Sequence, residues 1–179
     1  ESKTYDLHWH ASTEIIVPIK ESIRVIVRQQ EYYVNPGDIF IIPAGELHEF
    51  TCTDQGIRLI FLYDLSVLQP VTGFPYLNST FSQPVLISPK EAIYDTEMAL
   101  LYHMFQDYYS QSSLRELMMF SKLVNFYVEY QENHPLSGTS VPRQYEKSIT
   151  DRLNLVFYYI SQHYMENIPL EKAAEIAGF

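Results

Sequence analysis

Hydrophobic residues follow two different periods along the chain, and the change falls near residue 90. Before it, short runs rich in Val, Ile, Phe, Tyr and Thr alternate with turn signals that contain Asn, Gly, Pro and Asp. Such runs predict β-strands. The predicted strands are Thr13–Ile19, Ser22–Gln29, Gln30–Val34, Asp38–Ile42, Leu47–Thr53 and Ile57–Tyr63. Their short length and regular spacing predict an antiparallel barrel or sandwich.

The segment 64–90 is punctuated by proline. Its four prolines are Pro70, Pro75, Pro84 and Pro89. Because proline lacks a backbone donor and breaks helices, the segment is neither a continuous helix nor a central strand. We predict a connector that lies over the barrel, with one more short strand near Val85–Ser88.

From Lys90 onward the apolar residues recur every three or four positions, which predicts helices at about 91–110 and 114–131. Ser113 and Glu116 form a capping-box signature at the start of the second helix. One apolar face of that helix holds Leu114, Leu117, Met118, Ser121, Val124 and Val128. Another holds Phe120, Leu123, Tyr127 and Tyr130. Two faces predict packing on the barrel and on a second subunit, although a single thick core helix explains the pattern equally well.

The composition changes again after the second helix. Small polar residues with proline and glycine predict a linker, and helical spacing resumes at Ile149, with a short further helix at Leu170–Ala177. The predicted domains are 1–90 for the barrel with its connector, 91–132 for the helices, 133–147 for the linker and 148–179 for a fragment of a second domain. A length of 179 residues with 46% hydrophobic and 19% charged residues suits this organisation and excludes a disordered tail.

The chain is acidic, with a formal net charge of −10. Residues 1–140 hold 8 basic and 17 acidic residues, whereas residues 141–179 hold 4 and 5. The acidity therefore belongs to the barrel part, and we expect this fragment not to bind DNA by itself. The single cysteine, Cys52, excludes an internal disulfide and suits a reducing compartment. With no apolar run of membrane-spanning length and no signal peptide, we expect a cytoplasmic protein without membrane contact.

Histidines and a glutamate are spaced for a shared site in the barrel. His8, His10 and Glu14 form an H-x-H-x3-E pattern, and alternation along a strand places the two imidazoles on one side. A third histidine, His48, follows a turn that contains Pro43 and Gly45. Imidazoles and a carboxylate that converge can bind a divalent ion such as iron, manganese, nickel or zinc. The alternative is that no cofactor is required and the four side chains line the barrel, hydrogen-bonded to a ligand or to each other.

These two strings resemble the paired motifs of the cupin superfamily, which are small β-barrels of jelly-roll type. The second motif is matched at Gly37, Pro43, Gly45 and His48. The resemblance implies metal ligation, as in the enzymatic members, at His8, His10, Glu14 and His48. Two positions depart from the family pattern, because Cys52 stands where asparagine is frequent and Glu21 stands where glycine is expected.

The C-terminal segment carries a second resemblance. Residues 159–164 read Y-I-S-Q-H-Y, and residues 168–179 read I-P-L-E-K-A-A-E-I-A-G-F. This spacing resembles the opening of the DNA-binding domain of AraC/XylS-family regulators, in which a recognition helix follows. The sequence stops at Phe179, so the resemblance implies that the recognition helix is absent from this chain.

Together the resemblances imply an α+β chain with a cupin-type jelly-roll barrel, dimerisation helices and a truncated helix-turn-helix fragment. We expect the effector-sensing and dimerisation region of an AraC-type regulator. His8, His10, Glu14 and His48 would contact a small-molecule effector. The predicted homodimer face is formed by Leu117, Ser121, Val124 and Val128. The 15 tyrosines suit stacking on a sugar and suit core packing equally well, so the effector class stays open.

Two other function classes fit parts of the sequence. One is a metal-dependent cupin enzyme, such as an oxygenase, isomerase or epimerase, that uses the three histidines and Glu14. The other is a structural dimerisation module whose barrel is filled by its own side chains. The helix-turn-helix opening argues against the enzyme, which does not need it.

Overall fold

The computed structural model describes residues 2–65, 68, 70–74, 77, 80–135 and 149–178. Its strands are β1 (Ser2–His8), β2 (Thr13–Lys20), β3 (Ile23–Val27), β4 (Gln30–Val34), β5 (Ile39–Ile42), β6 (His48–Thr53), β7 (Ile57–Tyr63) and β8 (Val85–Ile87). Its helices are α1 (Tyr94–Tyr108), α2 (Arg115–Asn133), α3 (Ile149–His163) and α4 (Leu170–Ala177). The α+β fold is confirmed, and every predicted strand and helix is present with ends shifted by a few residues. β1 precedes the first strand delimited from sequence.

The strands form two antiparallel four-stranded sheets that pack face to face. The first sheet has the order β1-β6-β3-β4 and the second has the order β7-β2-β5-β8. In the first sheet, β3 and β6 alternate between buried and half-buried residues, so one face points inward and the other toward solvent. The inward side chains of both sheets form one apolar cluster between them, which consists of Ile16, Ile23, Val25, Val27, Val34, Phe40, Ile42, Phe50 and Cys52.

The central strands of the second sheet, β2 and β5, are buried on both faces, which explains why they are continuous apolar runs in the sequence. Ile16 and Phe40 point into the barrel, whereas their neighbours Ile15 and Ile41 belong to the cluster beneath the helices. A strand covered on both sides has no position left for a solvated side chain. Alternation therefore disappears from the sequence where the helices cover the barrel.

The helices α1 and α2 pack on this covered face and on each other. Leu123 and Tyr127 of α2 are buried there, which confirms that one of its two predicted apolar faces packs on the barrel. At the end of α1, Asp107 is buried because it pairs with Lys122 across the helix pair at 2.6 Å, whereas Tyr108 is exposed.

The predicted capping box at Ser113 and Glu116 is wrong. The residue before α2 is Leu114, which forms no side-chain cap, so Ser113 does not cap the helix. Instead the hydroxyl of Ser112 accepts a hydrogen bond from the Leu114 backbone N–H at 3.1 Å. Serine therefore stabilises the turn before the helix rather than its first backbone donors.

The C-terminal helices α3 and α4 pack against each other. Gly178 ends α4 with a φ of 74°, the left-handed conformation that favours glycine, and its N–H reaches the Ala174 and Glu175 carbonyls. The predicted linker 133–147 lies outside the described residues beyond position 135, and α2 continues to Asn133. The four domain boundaries therefore stay predictions. Among the helices described, none has the length and apolarity needed to cross a membrane.

Candidate ligand and metal site

Two histidines face each other at one end of the barrel because of strand register. His8, the last residue of β1, pairs with His48, the first residue of β6, and the ring centroids are 4.3 Å apart. The pairing contains an irregularity between Tyr5 and His8, which aims the end of β1 at the barrel end. His48 is fully buried and shares the inward face of β6 with Phe50.

His10 and Glu14 complete the cluster from the next segment of chain. The carbonyl of His10 accepts a hydrogen bond from the Gly45 N–H at 2.8 Å, and Gly45 has a φ of 78°, so glycine is needed in this turn. Glu14 has the same strand parity as Ile16 and therefore points into the barrel from the second sheet. Its Oε2 lies 3.2 Å from His10 Nε2 and 3.3 Å from His48 Nε2.

Each cluster histidine is tied to the backbone through Nδ1. The three contacts run from His8 to the Asp6 carbonyl at 2.7 Å, from His10 to the Ser12 carbonyl at 2.8 Å and from His48 to the Glu46 carbonyl at 2.7 Å. Because a carbonyl only accepts, each Nδ1 carries the proton and each neutral ring keeps a lone pair on Nε2. The backbone thus sets the tautomer and orientation of all three rings.

In the cluster, the Nε2 lone pairs of His10 and His48 face the Glu14 carboxylate. These hydrogen-bond acceptors oppose each other unless a proton or a cation lies between them. Burial by itself would raise the pKa of Glu14, but the contacts and charge of His48 and His10 outweigh it, so that pKa is below its ordinary value. Burial would lower the pKa of His48, but Glu14 and the Glu46 carbonyl outweigh it and raise that pKa. A proton or a cation on Nε2 is therefore stabilised by Glu14.

The donor set fits a divalent metal ion. Ligand atoms of His8, His10 and His48 all lie within 4.8 Å of one another, and Glu14 contacts two of these rings. His48 Nε2 is buried, and among the described residues no partner completes a hydrogen bond to it. Such ions are commonly bound by neutral imidazoles through one ring nitrogen, while a carbonyl holds the other ring nitrogen and orients the ring. The structure thus brings together all four residues predicted from the sequence, while their binding role stays a prediction.

Arg28 contacts the histidine cluster indirectly, through Glu46, and no sequence pattern pointed to it. Arg28 pairs with Glu46 through two of its nitrogens, one of them at 2.6 Å. It also donates to the Gln83 side-chain oxygen at 2.5 Å and to the Ser82 carbonyl at 3.1 Å. Glu46 is the residue whose carbonyl orients His48. Arg28 lies in the β3–β4 turn with a φ of 50°, and only its place in that tight turn distinguishes it in the sequence.

The two departures from the cupin pattern have structural outcomes. Glu21 has a φ of 68°, so the left-handed conformation expected for glycine is retained by a glutamate. Cys52 is buried in the apolar cluster between the sheets, with its Sγ 3.7 Å from the Lys3 carbonyl. Neither residue belongs to the histidine cluster.

The predicted dimer face of α2 is turned away from the barrel. Leu117 is 65% exposed, Ser121 and Val128 are exposed, and Val124 is half-buried. The face is thus open to a partner, and its use in dimerisation stays a prediction.

Comparison with known proteins agrees with the cupin architecture. The cupin domain family model matches residues 2–63. ToxT from Vibrio cholerae O395, bound to (E)-4-(8-methylnaphthalen-1-yl)but-3-enoic acid, superposes with a TM-score of 0.57 and 10% identity over 100% of this chain and 67% of ToxT. ToxT from strain SCE256, bound to an unsaturated fatty acid, gives 0.53 and 11% over 99% and 64%. No curated protein sequence matches the chain.

A further solved structure similar to this chain is that of a transcriptional activator. The AraC-like transcriptional activator CuxR superposes with a TM-score of 0.52 and 9% identity over 95% of this chain. The chain spans 58% of CuxR and about two thirds of ToxT. Residues 2–63 therefore match the cupin domain family, and the chain as a whole has the fold of the corresponding part of ToxT and of the AraC-like activator CuxR.

Proposed function

We propose that this chain is the effector-sensing and dimerisation region of an AraC-type transcription regulator. The observation that carries the proposal is the histidine cluster in the cupin-matching region of a chain that superposes on CuxR and ToxT along nearly its whole length. DNA contact would belong to the part of the regulator beyond the recognised helix-turn-helix opening. The chain itself would serve as the sensor and not as a catalyst.

The effector would bind at the end of the barrel where the cluster lies. The side chains packed between the sheets are mostly aliphatic and aromatic, and polar groups are concentrated beside them at His8, His10, Glu14 and His48. A small molecule with an apolar body and one polar or anionic group matches this distribution. ToxT was solved with two ligands of that kind, an unsaturated fatty acid and an aryl-substituted butenoic acid. A fatty acid or related carboxylate is therefore a stronger candidate than a sugar.

A proton or divalent cation at the cluster would set the affinity for such a ligand. The Nε2 atoms of His8, His10 and His48 would hold the ion, with Glu14 as a fourth ligand. Such an ion would supply a positive charge to pair with an anionic group. The three Nδ1 contacts keep the rings in the orientation that this requires.

The same chain would dimerise through the outer face of α2. Leu117 and Val128 are exposed apolar residues on a helix whose opposite face is buried against the barrel. Since an effector can act only by changing the relative placement or population of states, a two-fold pair of sensors would set the spacing of the DNA-binding parts.

Thermal melting with a ligand panel tests the sensor proposal. The panel contains saturated and unsaturated fatty acids, sugars and divalent cations, each with wild type, His10→Ala and the outward-facing control Thr51→Ala. A binder raises the melting temperature of wild type and the control, and the rise is lost in His10→Ala. A ligand that stabilises all three equally binds elsewhere and refutes the site.

The four-ligand donor set also favours a second candidate, a metal-dependent cupin enzyme. Three histidines and Glu14 could hold a metal ion with positions open to substrate. Metal analysis of the purified protein separates the candidates when combined with assays of oxygen consumption and of isomerase or epimerase turnover. Stoichiometric metal with turnover supports the enzyme, whereas ligand binding without turnover supports the sensor.

A further inference from the structure

Trp9 links the histidine cluster to a helix at the other end of the chain. It stands between His8 and His10, and its ring lies 4.9 Å from the ring of Phe157 on α3. The two rings are inclined at 47° and are 42% and 41% exposed, so they meet at the boundary between the barrel and the C-terminal helices. Trp9 is the one tryptophan of the sequence.

The backbone on both sides of Trp9 is held by the cluster itself. His8 is tied through Nδ1 to Asp6, and His10 is tied through Nδ1 to Ser12. The carbonyl of His10 is held in turn by the Gly45 N–H. A ligand that draws the two Nε2 atoms toward a common point therefore acts on this short segment at both ends. Occupancy of the cluster would therefore act on the position of the indole.

We propose that the Trp9–Phe157 contact transmits occupancy of the histidine cluster to α3. The inference rests on the proposed function, in which the cluster binds a ligand and α3 opens the DNA-binding part. Because linkage is reciprocal, loss of the contact must also change the affinity of the cluster for its ligand. The interaction energy of a single aromatic pair corresponds to a change of about twofold to tenfold in the affinity of the cluster for its ligand.

Zinc is the probe for this coupling, since Zn²⁺ has no redox chemistry and prefers imidazole ligands. The full 179-residue chain is titrated while binding is followed by calorimetry and Trp9 emission by fluorescence. We expect one saturable site and an emission shift that follows its occupancy. Removal of a ligand in His8→Ala weakens binding and moves the emission change to correspondingly higher zinc.

Phe157→Ala tests the contact itself, and Tyr158→Ala is its matched control. Tyr158 is the adjacent exposed aromatic residue of α3. Phe157→Ala alters the emission of the zinc-free protein, removes most of the zinc-dependent shift and changes zinc affinity by about twofold to tenfold. Tyr158→Ala behaves as wild type. Circular dichroism checks that both variants keep their helices.

Three outcomes overturn the coupling. Zinc binding with unchanged Trp9 emission refutes it while the binding site stands, as does a wild-type response in Phe157→Ala. Equal zinc binding by His8→Ala places the ion elsewhere and refutes it as well. If calorimetry detects no zinc binding, the coupling falls together with the cation part of the proposed function, while effector binding is judged separately by the ligand panel.

Discussion

The rings of His8 and His48 lie 4.3 Å apart, inclined at 57°, across the β1–β6 strand pair, so the cluster exists only in the correct register. Glu14 meets them from the second sheet, at 3.3 Å from His48. A slip of one residue in β1 or β6 would turn its histidine to the outer face. Ligand binding at the cluster thus reports on the alignment of the two sheets.

Arg28 is expected to matter for binding more than for stability. Its pair with Glu46 is partly exposed and contributes about 0.2–1 kcal/mol, whereas Glu46 orients His48 through its carbonyl. Residues that orient metal ligands typically affect affinity by about tenfold or more. Arg28→Met should therefore weaken zinc binding by about tenfold in calorimetry with little change in melting temperature.

The control for Arg28 is Arg24→Met. Arg24 forms an ion pair with Glu31 on the same hairpin, but that pair does not touch the histidine cluster. Arg24→Met should leave zinc affinity unchanged. Equal losses in the two variants would show that Arg28 acts through the hairpin as a whole and not through Glu46.

Glu97 should make stability depend on pH. It is fully buried on α1, and among the described residues none donates a hydrogen bond to either carboxylate oxygen. Burial, with a smaller effect from Glu129, raises its pKa from 4.5 to about 8. The folded protein then holds a proton that the unfolded chain releases between these values, so the free energy of unfolding falls as pH rises from about 4.5 to 8.

Glu97→Gln removes this dependence. At about 1.4 kcal/mol per pH unit, the variant should gain up to about 5 kcal/mol relative to wild type across the interval. Denaturant unfolding at several pH values measures the difference, and Glu116→Gln is the exposed control on α2. Parallel pH profiles for wild type and Glu97→Gln would mean that Glu97 is ionised in the folded state.

Replacement of Glu21 by glycine, the residue that the cupin pattern expects, should stabilise the fold. Its φ of 68° costs a non-glycine residue about 1–2 kcal/mol, part of which is offset by the greater entropy of unfolded glycine. Glu21→Gly should raise the free energy of unfolding by about 0.5–1 kcal/mol. Lys20→Gly, one residue earlier within β2, should lower it. Destabilisation by Glu21→Gly would mean that the side chain compensates for the strain.

The outer face of α2 should control the oligomeric state. Leu117→Glu combined with Val124→Glu places two charges on a face that the barrel does not cover, so the fold survives and a dimer through this face does not. Sedimentation equilibrium should show monomers. Arg115→Glu, an exposed position on another side of the helix, should stay dimeric. A double variant that remains dimeric would place the interface elsewhere.

Local patterns predicted the parts of the fold that packing decides. The apolar runs of β2 and β5 and the two faces of α2 follow directly from which surfaces are covered. β1 was not delimited because it is an edge strand with lysine, aspartate and threonine among its seven residues. Ser113 failed as a cap because Ser112 offered a competing hydrogen bond one residue earlier.

The residues of the histidine cluster could be predicted from the sequence, but the residues that contact the cluster indirectly could not. His8, His10, Glu14 and His48 form recognisable motifs in the sequence. The alternation expected for His8 and His10 does not apply, because β1 ends at His8 and His10 lies between β1 and β2. Arg28 and Phe157 act through partners distant in sequence, and neither has a local signature. Their roles depend on how the turn at Arg28 meets Glu46 and how α3 meets Trp9, which only the tertiary structure shows.

Long-range ¹H–¹⁵N NMR of the six histidine side chains tests the central claim most directly. Without ligand, neutral His8, His10 and His48 should carry the proton on Nδ1, because each Nδ1 contacts a backbone carbonyl. Addition of the panel molecule that most raises the melting temperature should shift the Nε2 resonances of these three rings. Those of His103, His134 and His163 should stay unchanged. Saturating binding that leaves the three cluster imidazoles unshifted would contradict a sensor site at this end of the barrel.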